Sequence, residues 1–117
     1  MSERKVTFTK DQIAAYADAS GDRNPIHLDD DFARSVGLPG VIAHGMLQMG
    51  ILATVASEAA GGSDRLRRIS VRFAGMVAPG DTVTFRAAPA GEGTLDLTAV
   101  NQKGEAVLTK SSAEFVA

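Results

Sequence analysis

Cysteine is absent from the 117 residues and histidine occurs only twice. Without thiols the chain can hold no disulfide, thiolate nucleophile, cysteine-rich zinc site or iron–sulfur cluster. Charge of one sign is also lacking. With 12 basic and 14 acidic side chains the formal charge is −2, which offers no basic face to nucleic acid. No long apolar run is unbroken: Val41–Ala60 has the length of a membrane span, but His44, Gly45, Gln48, Gly50, Ser57 and Glu58 interrupt it, and no span is expected. The first residues, MSERKVTFTKDQ, lack the apolar core and cleavage site of a secretory signal, so the cytoplasm is the expected location. A G-x-S-x-G elbow is missing too, which excludes the hydrolases built on it.

What is present reads as one globular domain, residues 1–117, since hydrophobic residues at 44% and charged residues at 22% suit a packed core and not a disordered chain. Lys5–Thr9 alternates as a short strand. Thr9 with Gln12 three residues on makes a capping box for a helix running to about Ala19, which Gly21 stops. Asp29, Asp30 and Asp31 supply the cap and first-turn charges of a second short helix that closes near Gly37. From about His44 to Ala60 the apolar residues surround a longer helix instead of forming one stripe, so it should be buried on most sides. Four alternating segments follow, Arg68–Phe73, Thr82–Arg86, Thr94–Val100 and Ala106–Phe115, separated by turns at Pro79-Gly80-Asp81, Ala90–Gly93 and Asn101–Gly104. The order gives an α+β fold: a curved antiparallel sheet of five strands wrapped around one long central helix. Such a sheet has open edges, so pairing with a second copy is expected.

Two stretches carry candidate chemistry. In Ser20–His27, SGDRNPIH, Asp22 and His27 lie five residues apart. On an unbroken helix that spacing separates side chains by roughly 140°, and on a strand by about 16 Å. Gly21 ends a helix and Pro25 forces Asn24 out of the α region, so a bent path can bring the acid and the imidazole together as a proton-shuttling pair, with Asn24 orienting either. The plainer reading is an Asx-turn in which Asp22 and Asn24 only cap backbone. His27, Asp29 and His44 have the residue types of a two-histidine, one-carboxylate iron site, although Asp29 is better explained as a cap. In Ile42–Leu47, IAHGML, Gly45 opens the long helix. Free N–H groups and the dipole there would stabilise an oxygen gaining negative charge; close packing against the sheet would also explain the glycine. His44 reads as a hydrogen-bonded structural ring.

Together, YADASGDRNPIHLDDDFARSVGLPGVIAHGMLQMG from Tyr16 to Gly50 and VRFAGMVAPGDTV from Val71 to Val83 resemble the MaoC-like, (R)-specific enoyl-thioester hydratases and dehydratases. The resemblance implies the hot-dog fold, with Asp22 and His27 as catalytic pair, Asn24 holding their geometry and the Gly45 N–H receiving the thioester oxygen. It implies no metal and no cofactor. The substrate would be an acyl-CoA or an acyl carrier protein thioester, with a homodimer expected and a heterodimer the alternative. Ala53 and Ala56 are small enough to leave room for an acyl tail along the helix, though plain core packing is the simpler explanation for them, and Arg67, the one basic residue expected on the face of Ile69, Val71 and Phe73, could meet a phosphate of CoA or an acidic carrier; Arg65, Arg68 and Arg72 read as solvated. Two other functions stay open: a hot-dog subunit that completes a partner's site, and a hot-dog thioesterase.

Overall fold

The computed structural model describes residues 2–116. Its elements run β1 (Ser2–Thr7), α1 (Lys10–Ser20), a 3-10 turn (Pro25–His27), α2 (Asp30–Ser35), α3 (Gly45–Ala60), β2 (Leu66–Phe73), β3 (Thr82–Gly91), β4 (Thr94–Asn101) and β5 (Ala106–Phe115). The five strands form one antiparallel sheet in the order β1-β3-β4-β5-β2. Helix α3 packs against it, sharing a core of Phe8, Leu52, Val55, Ala56, Val77, Val83, Phe85, Leu97 and Val107. This is the expected α+β arrangement. No helix among the described residues is long and apolar enough to cross a membrane.

Four local features differ from the sequence reading. The first strand ends at Thr7 instead of Thr9, because the Phe8 N–H donates to the Asp81 carbonyl and the Phe8 carbonyl accepts from Gly80, which draws its ring into the core. The capping box of α1 is half made: Thr9 Oγ1 accepts from the Gln12 N–H, but Gln12 Oε1 is buried without a partner. The last four strands are not a simple succession of hairpins. β2 pairs with β5 at the far edge, and the connection from Ala74 to Asp81 crosses the mouth of α3, where the Val77 carbonyl accepts from the Ala43 N–H at 2.7 Å. Around α3, Gln48, Leu52, Val55, Ala56 and Ala60 are buried, whereas Met46, Gly50, Thr54 and Glu58, four residues apart, form an exposed row. The wrapping is therefore narrower than an all-round apolar helix suggested.

Asp29 caps α2, accepting from the N–H groups of Asp31 and Phe32. Asp30 does more than charge the first turn. It accepts from Lys10 Nζ at 2.6 Å and from the Val41 N–H at 2.9 Å, tying α2 to α1 and to the segment that leads into α3. The hydrogen bond from Lys10, then that from Val41, and the charges of Lys10 and Arg34 hold its carboxyl below the ordinary value of 3.8. A carboxyl depressed on folding contributes stability above its unfolded pKa and loses it as the pH falls through the folded one. Asp30→Asn should therefore lower the melting temperature at pH 7, and the gap to the wild type should narrow progressively as the pH is taken below the ordinary carboxyl value of 3.8. Melting curves across that pH range check this; a gap that widens in acid would contradict it.

Candidate active site

The SGDRNPIH stretch is an ordered bend. Gly21 ends α1 in the left-handed region at φ 80°, its N–H donating to Ala17. A side chain there would be strained by about 1–2 kcal/mol, so the glycine is what lets the chain leave the helix at Asp22. Asp22 Oδ1 then accepts from the Asn24 N–H at 3.3 Å, and Asn24 Oδ1 from the Ile26 N–H at 3.2 Å. Asn24 is extended (φ −56°, ψ 129°), as the following proline demands, and caps the 3-10 turn that delivers His27. The Asx-turn reading and the convergent reading thus hold together: each side chain uses one oxygen on the backbone, and the bend this fixes turns Asp22 toward His27.

The bend is docked onto the approach to α3. The Ile42 N–H donates to the Ile26 carbonyl at 3.1 Å, and His27 Nδ1 lies 2.7 Å from the Ile42 carbonyl. A carbonyl oxygen only accepts, so Nδ1 carries a proton, and Nε2 is the nitrogen that holds the lone pair in the neutral ring. Two residues on, His44 Nε2 lies 2.9 Å from the Asp22 backbone carbonyl and donates to it. The rings of His27 and His44 stack with centroids 3.7 Å apart and planes 22° from parallel, and Tyr16 meets His44 edge-on at 4.8 Å. A carboxylate oxygen of Asp22 and a ring nitrogen of each histidine lie within 4.8 Å of one another. Asp22 is exposed, His27 half-buried and His44 buried, so the group opens to solvent on the Asp22 side.

This geometry suits proton transfer better than metal binding. Lone pairs lie in the imidazole planes, and two stacked rings send theirs side by side instead of onto one ion; moreover His27 Nδ1 and His44 Nε2 are each taken by a carbonyl. Asp29, the carboxylate of the iron triad considered from sequence, is committed to capping α2.

Gly45 is the first residue of α3, with His44 as N-cap, so its N–H belongs to the first turn, whose donors have no intrahelical acceptor. A Cβ on Gly45 would lie 2.9 Å from Cε1 of Phe73, at the end of β2. Close approach of this ring, half-exposed beside Gly45, explains the absent side chain in packing terms and leaves the N–H available. Of the other candidates, Ala56 is wholly buried in the core and Ala53 half-buried beside it. Arg67 falls at a β-bulge between Leu66 and Arg68, which turns it out to solvent with Nη1 donating to the Asp64 carbonyl at 2.8 Å. The strand alternation expected for it is broken there. Sequence reasoning missed Ile42, whose contribution is a carbonyl and so leaves no trace in residue type, and Phe73, which looked like any strand residue.

The profile of the MaoC-like domain family matches residues 1–111. The chain belongs to this family. The MaoC-like domain is 34% identical over 111 residues to the peroxisomal hydratase-dehydrogenase-epimerase of Neurospora crassa, covering 95% of this chain and 12% of that protein. It thus spans only a small part of such curated relatives. Among solved structures it superposes on a MaoC-like dehydratase from Phytophthora capsici with a TM-score of 0.88 at 27% identity, over 97% of this chain and 39% of that one. The (R)-hydratase from A. caviae involved in PHA biosynthesis gives a TM-score of 0.81 at 28% identity, over 96% of this chain and 89% of that one. The MaoC-like fold expected from sequence, a five-stranded antiparallel sheet around a central helix, is the fold observed.

Proposed function

We propose that this MaoC-like domain hydrates trans-2-enoyl thioesters to (R)-3-hydroxyacyl thioesters, or runs the reverse dehydration. The single observation that carries the reading is the 2.7 Å contact of His27 Nδ1 with the Ile42 carbonyl, which takes up the Nδ1–H and leaves Nε2 of the neutral ring as the base, in a group where an Asp22 carboxylate oxygen lies within 4.8 Å of a His27 ring nitrogen. Family membership and the hydratase relatives support the reaction class; the roles of individual residues are argued from chemistry.

A water bridging Asp22 and His27 gives a proton to Nε2 as its oxygen bonds to the β-carbon of the enoyl group. The π electrons move through the α-carbon onto the thioester oxygen. There the Gly45 N–H and the positive end of α3 stabilise the charge, a donor of this kind being worth about 3 kcal/mol. When the enolate collapses, the α-carbon takes a proton back from the pair, so that one water has added across the double bond. Asn24 holds the bend in which Asp22 sits. The acyl tail runs along α3 past the half-buried Ala53, Ala56 being packed into the core, and Arg67 lies in solvent where a CoA phosphate or an acidic carrier can reach it. A second copy paired along an edge strand would cover the open side of the site.

Purified protein given crotonyl-CoA should consume the enoyl absorbance without releasing free thiol. Thiol release detected with a thiol-reactive dye would instead make the domain a thioesterase, and activity appearing only after a second protein is added would make it a partner subunit.

A further inference from the structure

Helix caps elsewhere in the chain spend their side chains on the helix: Thr9, Asn24 and Asp29 each accept a backbone N–H of the turn they begin. His44 stands at the same position of the longest helix and makes no such bond. Forgoing a side-chain cap destabilises a helix start, and the ring is also buried, 1% exposed, with Nδ1 lacking any partner among the described residues. Its contacts point away from the helix and into the site. Nε2–H holds the Asp22 carbonyl at 2.9 Å, the ring face lies on His27 at 3.7 Å, and the next residue in the chain is Gly45.

We propose that His44 is the positioning residue of this site, a buried ring that keeps the Asp22 peptide and the His27 ring in fixed register with the Gly45 amide. The inference rests on the reading of those three residues as the catalytic group. The His44 ring presents its π face to His27 and fixes that ring's plane. It touches none of the reacting atoms. Its effect is to remove two freedoms, the tilt of the Asp22 loop and the rotation of the His27 ring, whose loss of control by even about 1 Å can cost 100-fold in rate.

Two substitutions separate the contacts. His44→Phe keeps a stacking ring and removes the donor; His44→Gln keeps an N–H donor at similar reach and removes the ring. With crotonyl-CoA, His44→Phe should lower kcat by about 100-fold with KM little changed, because substrate contacts are intact while alignment is not. His44→Gln should recover about tenfold of that loss, since it restores the bond to the Asp22 carbonyl. Independently of activity, nitrogen–proton correlation spectra of the wild type, which has only two histidine rings to assign, should show His27 protonated at Nδ1 and His44 at Nε2. Variants as active as the wild type, a loss confined to KM, or His44 protonated at Nδ1 would each overturn the proposal. An inactive wild type showing both expected tautomers would instead refute the catalytic reading itself, and the positioning role would fall with it.

Discussion

Asp22→Asn should cut hydration of crotonyl-CoA by about 10³-fold or more, within the range that general acid–base groups supply, and leave the melting temperature nearly unchanged. Asn24 N–H bonds to Asp22 Oδ1, an atom the asparagine retains, and the side chain is exposed, so the fold has little to lose. What disappears is the negative charge beside the His27 ring. His27→Asn should do the same on the base side: its amide can still donate to the Ile42 carbonyl, but no lone pair of imidazole basicity remains to receive a proton from water. Initial rates followed by enoyl absorbance, alongside thermal melts, check both. Near-wild-type rates in either variant would remove the pair from the mechanism.

The second large effect concerns the amide at the head of α3. Gly45→Pro deletes a backbone N–H that the helix does not use and adds a Cβ beside Phe73, and proline is well tolerated at the first helical position. The preceding residue, His44, is already extended at φ −62° and ψ 136°, as a following proline requires. Gly45→Ala is the matched control, since it adds the same Cβ crowding against Phe73 and keeps the N–H. That ring is half-exposed and can swing aside, so the alanine variant should retain much of its activity, and Phe73→Ala in the same chain should relieve what is lost. The proline variant should be slower than the alanine variant by 10²–10³-fold, the loss typical of an oxyanion donor. Equal rates for the two would assign Gly45 to packing alone.

How much of this was visible in the sequence depends on how local the cause is. Gly21, Asn24 and Pro25 act through their own backbone preferences, so the bend that joins Asp22 to His27 could be foreseen from eight consecutive residues, and it forms as those preferences dictate. The helix α3 and the strand segments were equally legible, because burial imposes their periods. Three things were not. The stacking of His27 on His44 depends on a docking between the 3-10 turn and residue Ile42, made by main-chain atoms. The double tie of Asp30 to Lys10 and Val41 joins elements whose approach no local pattern encodes. The position of β2 at the sheet edge, with its bulges, breaks the alternation that had placed Arg67 on the apolar face.

The most direct test is the stereochemistry of the product. Incubated with trans-2-crotonyl-CoA, the purified domain should yield 3-hydroxybutyryl-CoA of the (R) configuration, resolved by chiral separation after hydrolysis, with the yield collapsing in Asp22→Asn. An (S) or racemic product, or an undiminished yield from that variant, would contradict the account of Asp22 and His27 delivering one water to one face of the double bond.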